Sequence, residues 1–203
     1  MDAKTHWERV YETKRADQVS WYRQHLDVSL GLISKALADR DALIVDVGGG
    51  EATLVDDLVA AGFPHVDVLD LSEKALQVAK ERLGADGISV GWLRGDVTTY
   101  AFEPGRYDLW HDRAVFHFLT HPDQRRAYVH QVARAVKPGG HVIVATFGPE
   151  GPQQCSGLDV ARYDADSLHE QFGARFELVE HQIEEHSTPS GSRQQFVYCM
   201  CRI

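Results

Sequence analysis

Apolar residues along the chain follow two periods in turn. Short apolar runs, which predict strands, alternate with stretches in which apolar residues recur every three to four positions, which predict helices. Over residues 27–38, Leu30, Ile33 and Leu37 fall at helical spacing, and over residues 51–61 Leu54, Leu58 and Ala61 do the same before Gly62 stops the helix. A shorter helix is expected over residues 5–14. The apolar runs at residues 43–47, 66–70, 88–93, 107–111 and 141–147 predict five strands. Between them, Ser72 is placed to cap a helix reaching about Leu83, with Glu73 in its first turn. Thr120 is the expected N-cap of a helix to about Val136, with Asp123 three residues later, and Lys137-Pro138-Gly139-Gly140 is an expected turn. The tail changes pattern. A helix over 164–172 is followed by strand-like runs at 176–186 and 194–202, joined by the turn-rich Ser187 to Ser192.

Strands alternating with helices predict an α/β fold. The expected form is a doubly wound, seven-stranded, mostly parallel sheet with a C-terminal antiparallel hairpin and helices on both faces. The length of 203 residues suits a single domain over 1–203, divided into an N-terminal helical segment (1–40), a core (41–147) and a C-terminal helix and hairpin (148–203). The formal net charge of −9, with no clustered Lys/Arg, argues against a nucleic-acid partner. Cys155, Cys199 and Cys201 form no disulfide framework, which points to reduced thiols and a cytoplasmic setting. No signal-peptide core or long apolar run predicts a membrane association. His111, His117 and His121 lie near one another, but no metal-binding spacing appears, so no metal is expected.

Candidate chemistry gathers at strand ends. In open parallel sheets ligands bind beyond the carboxyl ends of the strands. Asp46, Asp70, Asp96 and Asp112 fall at such ends, and Gly48, Gly49 and Gly50 link the first strand to the next helix. Glycines there let backbone approach a ligand. An acid at the Asp70 position can take both hydroxyls of a ribose, and one at Asp96 can accept from an adenine amino group. The dinucleotide fingerprint fails, because the third glycine position counted from Gly48 and Gly50 is Thr53.

The order Asp46-x-Gly48-x-Gly50, then Asp70, then Gly95-Asp96, then Lys137-Pro138-Gly139-Gly140 resembles the class I S-adenosylmethionine (SAM)-dependent methyltransferases over about residues 41–147. The resemblance implies that Asp46 and Gly48 to Gly50 hold the methionine end of SAM. It implies that Asp70, with Leu71, holds the ribose and Asp96, with Val97, the adenine. It also puts Asp112 beside the cofactor, and makes the N-terminal segment, with Trp21, a lid. The usual third glycine of the loop is Ala52 here. The stretch Trp110-His111-Asp112-Arg113-Ala114 is similar to Trp-Asp-Arg-Gly in thiopurine-type thiol methyltransferases and to Asp-Lys-Gly in a group of protein lysine methyltransferases. It does not choose the acceptor.

The implied activity is methyl transfer by in-line displacement to a small molecule. The alternatives are protein lysine methylation, or SAM binding without turnover. Asp112 and His117 are the candidate orienting or basic residues. Against this, Asp112 can cap the following segment or pair with Arg113, and His117 can pack between Phe116 and Phe118. Arg113 is a candidate anchor for an anionic substrate. His186, Thr188 and Arg193 on the hairpin, with Cys155, are expected near the acceptor. Trp7 and Tyr11 are expected to pack on one helix face, whereas Trp21 and Tyr22 divide evenly between lid and packing.

Overall fold

The computed structural model describes residues 2–87 and 89–203. Its elements run α1 (Ala3–Thr13), α2 (Asp27–Ala36), β1 (Ile44–Val47), α3 (Leu54–Ala60), β2 (Val66–Asp70), α4 (Glu73–Leu83), β3 (Gly91–Arg94), β4 (Tyr107–Arg113), α5 (Pro122–Ala135), β5 (Val136–Phe147), β6 (Gln154–Cys155), β7 (Leu158–Asp159), α6 (Ala165–Phe172), β8 (Glu177–Ser187) and β9 (Arg193–Arg202). The seven-stranded sheet has the order β3-β2-β1-β4-β5-β9-β8, with β9 antiparallel to both neighbours and the other pairs parallel. This is the expected α/β architecture, hairpin included.

Alternate residues of each central strand feed two separate cores. Ile44, Leu109, Ile143 and Tyr198 face the side carrying α2 and α3. Val45, Trp110, Val144 and Val197 face the side carrying α5 and α6. All four residues of β1 are buried, because helices cover the sheet on both faces.

Several boundaries differ from expectation, each for a local reason. Residues 51–53 remain in the loop, since Gly48 and Gly50 take φ of +70° and +47° and the helix starts only at Leu54. Ile88, the expected start of the third strand, lies outside the described residues, and β3 itself is Gly91–Arg94. The N-cap of α5 is His121, not Thr120. Pro122 at the first helical position forces the preceding residue to extended backbone (φ −94°, ψ 138°), and Gln124 rather than Asp123 closes the capping box. The Lys137–Gly140 turn is drawn into β5, where Val136 already pairs with Tyr107 and Gly139 N–H donates to the Ile203 carbonyl. The small β6–β7 hairpin has no counterpart in the predicted elements. Among the described residues no helix is long and apolar enough to cross a membrane.

Candidate active site

The chain leaves β1 toward β2 and β3 on one side and returns through β4 on the other, so a crevice opens between the carboxyl ends of β1 and β4. The loop after β1 floors it. A Cβ built on Gly48 would lie 2.0 Å from Val115 Cγ2, and one on Gly50 would lie 2.8 Å from the Tyr11 hydroxyl and 3.1 Å from Asp70 Oδ2. With their positive φ values, both positions require glycine. Two adjoining cavities fill the crevice, a larger one of about 200 Å³ and a smaller one of about 40 Å³, and Tyr11, Trp21, Gly48 and Arg113 line both.

One end of the larger cavity is lined by Asp70, Leu71, Asp96, Val97 and Thr98. Asp70 Oδ1 accepts from Ser72 N–H at 2.8 Å, the turn that starts α4. Burial, with Asp46 and Glu8 nearby, pushes the Asp70 carboxyl up to about 7. Asp96 Oδ1 accepts from both the backbone and the hydroxyl of Thr98, at 2.8 and 2.7 Å. The other end is walled by aromatic rings. Trp7 lies 5.0 Å from Phe118, 5.7 Å from Trp21 and 6.3 Å from Tyr11, centroid to centroid. Cys155 and Leu158, from the β6–β7 hairpin, complete this wall. Glu8 ties α1 to α4 by accepting from Lys74 N–H at 3.2 Å.

The smaller cavity gathers charged side chains. Asp46, Glu51 and His111 line it together with Arg23 and Arg113. Burial raises the Glu51 carboxyl, with Arg82 and Lys74 opposing. Both guanidiniums converge on Glu184 of β8. Arg23 donates to Glu184 Oε1 from Nε and Nη2 at 3.1 and 2.8 Å. Arg113 donates from Nε to the Tyr198 hydroxyl at 2.8 Å, which in turn donates to Glu184 Oε2 at 2.8 Å. Arg113 Nη1 reaches the Trp21 carbonyl at 3.1 Å, and its guanidinium stacks 4.2 Å above Phe196. Arg113 Nη2 is buried with no hydrogen-bond partner among the described residues, 3.5 Å from Glu184 Oε2. Burial opposes the charge on Glu184, but Arg113 and the bonds from Arg23 and Tyr198 outweigh it and hold the carboxyl below its ordinary range. A hollow bordered by two guanidiniums and two carboxylates complements a zwitterion.

Residues 44–140 match the model of a methyltransferase domain family. The chain is 30% identical to a ubiquinone biosynthesis O-methyltransferase of Aromatoleum aromaticum, over 70% of this chain and 56% of that protein. It is 23% identical to an eEF1A lysine and N-terminal methyltransferase of Bos taurus, over 68% of this chain and 19% of that protein. A SAM-dependent methyltransferase structure from Methanosarcina mazei superposes with a TM-score of 0.71 at 16% identity, covering 84% of this chain and 96% of that one. The matched segment is a methyltransferase domain, and its fold is that of the class I SAM-dependent methyltransferases. Its cofactor, implied by family and fold, is SAM. The chain spans about half the length of the ubiquinone biosynthesis methyltransferases it matches.

The methyltransferase cavities gather most of the predicted cofactor residues. Asp46, Gly48 and Gly49 line the smaller one, and Gly48, Asp70, Leu71, Asp96, Val97 and Trp21 the larger; Gly50 adjoins Asp70. Trp7, expected only to pack, lines the larger cavity as well.

Other predicted residues lie elsewhere. Asp112 faces the α5 side of the sheet and lines neither cavity. It accepts from Val115 N–H (2.8 Å), Phe116 N–H (3.1 Å) and the Tyr128 hydroxyl (2.6 Å), and so closes the turn after β4. Burial pushes its carboxyl up to about 6, with the Tyr128 bond opposing. His117 is fully buried against Phe118 and Phe147; its Nδ1 accepts from Phe147 N–H at 3.2 Å, and burial pushes it down to about 3, leaving a neutral ring. His186 is buried and donates from Nε2 to the Ser20 carbonyl at 2.7 Å. Thr188 binds Ser190 and Ser192 within the hairpin turn, and Arg193 is exposed opposite Ser187. The pairing of Phe147 with Phe196 does bring this turn to the cofactor end of the sheet, yet His186, Thr188 and Arg193 line neither cavity.

The sequence singles out none of Arg23, Glu51 and Glu184, and His111 only as a possible metal ligand. For His111 a signal existed, because aligning the apolar runs Ile44-Val45 and Leu109-Trp110 sets His111 opposite Asp46. For Arg23 and Glu184, 161 positions apart, there was none.

Proposed function

We propose that this methyltransferase transfers the methyl group of SAM to a small-molecule acceptor. The observation that carries the reading is the adjoining pair of hollows beside Gly48, one suited to a nucleoside and one to a zwitterion, which together match the two ends of SAM. Asp70 would take the ribose hydroxyls, Asp96 and Val97 the adenine, and the smaller hollow the amino-acid end. Arg23 and Arg113 would face the carboxylate there, and Asp46 the ammonium.

SAM supplies an activated methyl group, so the protein has to align the acceptor and exclude water. Trp7, Trp21 and Phe118 wall the remaining end of the larger cavity and serve the second task. The titratable groups at that end, among the described residues, are Arg113, Tyr11 and Cys155. Burial raises the Tyr11 phenol and the Cys155 thiol and keeps both neutral. None is suited to take a proton, so the acceptor reacts as a nucleophile already deprotonated in solution. A buried Arg113 favours an anionic or neutral acceptor over the ammonium of lysine. The ubiquinone biosynthesis relatives agree with a small acceptor.

Incubation with methyl-labelled SAM and a panel of thiols, phenols, amines and carboxylic acids, and separately with cell-extract protein, tests the reading. Label is expected on an acceptor that is ionised at the assay pH, a carboxylic acid or an acidic thiol or phenol. Label on protein alone would replace the small-molecule reading with protein methylation.

A further inference from the structure

A buried hydrogen-bonded relay lies beneath the smaller cavity. It joins Ser29 of α2, His111 of β4 and Asp46 of β1, which are 0%, 1% and 3% exposed. Ser29 Oγ is 2.9 Å from His111 Nε2, and His111 Nδ1 is 2.7 Å from Asp46 Oδ1. The direction of the relay follows from its end. A carboxylate only accepts, so Nδ1 carries the proton that faces Asp46, and Ser29 Oγ holds the far nitrogen of the ring.

The order of groups is that of a nucleophilic triad, but Ser29 is sealed from both cavities and cannot present its oxygen to a substrate. The open end is the acid. Asp46 and His111 line the smaller cavity, with Ser29 behind them. Asp46 Oδ2 makes no hydrogen bond with the described residues. It rests against the bare Cα of Gly49, where an added Cβ would come within 2.5 Å of it. The carboxylate therefore has one oxygen pinned and one oxygen open, across a hollow from two guanidiniums.

We propose that His111, set in turn by Ser29, is a positioning residue that holds Asp46 to receive the ammonium group of an α-amino acid, here the amino-acid end of the cofactor. This rests on the methyltransferase reading above. Glycine at position 49 keeps the place of Oδ2 clear. Removing the Nδ1 donor leaves the torsion of Asp46 unfixed and an acceptor bond unmade, so the loss falls on ligands that carry the ammonium. A pin that merely fastened α2 to the sheet would act on all ligands alike.

Calorimetric titration separates the two. S-adenosylhomocysteine carries the amino-acid end, and 5′-methylthioadenosine lacks it. His111→Phe keeps a ring without a donor; it is expected to weaken S-adenosylhomocysteine about tenfold while leaving methylthioadenosine within about twofold. His111→Asn restores an N–H near the place of Nδ1 and is expected to recover affinity to within about threefold of the parent protein. Ser29→Ala, a small change that carries the comparison if His111→Phe does not fold, is expected to weaken only S-adenosylhomocysteine, by roughly two- to fourfold. Equal losses for both ligands, or no loss for either, overturn the role of His111 while the cofactor reading stands. Failure of the unaltered protein to bind either ligand overturns the cofactor reading and the relay's role with it.

Discussion

Tyr128 donates its hydroxyl to Asp112 at 2.6 Å, deep between α5 and the sheet. With the bonds from Val115 and Phe116 N–H, this fixes the turn that carries Arg113, Ala114 and Val115 into the cofactor crevice. Asp112→Ala strips three donors, two of them buried, of their acceptor and is expected to destabilise the fold by about 3 kcal/mol, with Tyr128→Phe costing about 1 kcal/mol. Urea unfolding checks this. An Asp112→Ala protein of unaltered stability but abolished turnover would return Asp112 to the chemistry.

Asp70 gives the protein a pH signature. Its folded value is raised to about 7 from an ordinary 3.8, chiefly by burial, and Asp112 is raised to about 6. For acids raised by folding, the stabilising contribution is complete below the unfolded value and is lost as pH rises through the folded one. The ligand-free protein should therefore melt at a lower temperature at pH 8 than at pH 5.5. Ribose hydroxyls donating to Asp70 favour its charged form. Binding of S-adenosylhomocysteine near pH 7 is thus expected to release protons, seen as a binding heat that varies with the ionisation enthalpy of the buffer. Buffer-independent heat would remove Asp70 from the ribose site, as would unchanged affinity in Asp70→Ala.

Ala114 occupies the left-handed region at φ 78°, between Arg113 and Val115. The similar patterns named above carry glycine at this place. Ala114→Gly relieves roughly 1–2 kcal/mol of steric strain and forfeits about 0.5–1 kcal/mol to chain entropy. The variant is expected to gain up to about 1 kcal/mol in denaturant unfolding; a loss would mean that the alanine methyl packs more usefully than its backbone suffers.

The sheet was legible because each central strand is an apolar run between turn residues, and helix α4 because Ser72 accepts from the N–H group it was placed to cap. The ligand end of the site was legible for a related reason. Asp46, Asp70 and Asp96 follow directly from where strands stop. What failed was the choice of face on β4. A strand buried on both sides shows no polar alternation, so hydrophobicity could not tell that His111 and Arg113 point to the crevice and Asp112 away from it. His117 and His186 read as chemistry because they are polar; each instead spends a ring nitrogen on one backbone group, Phe147 N–H or the Ser20 carbonyl. The Arg23–Glu184 contact joins the N-terminal segment to an edge strand and leaves no local mark on either.

Arg113 lines both cavities inside a chain whose formal net charge is −9, so its guanidinium borders the acceptor's end as well as the cofactor's. An anionic acceptor thus meets a repelling exterior before an attracting interior. Dissolved salt screens exposed, distant charges far more than buried ones. Raising ionic strength should then quicken the approach of such an acceptor while leaving its hold at Arg113 largely intact. The enzyme's kcat/KM for an anion is expected to rise with salt, the reverse of ordinary electrostatic steering, and to show no such rise for an uncharged one.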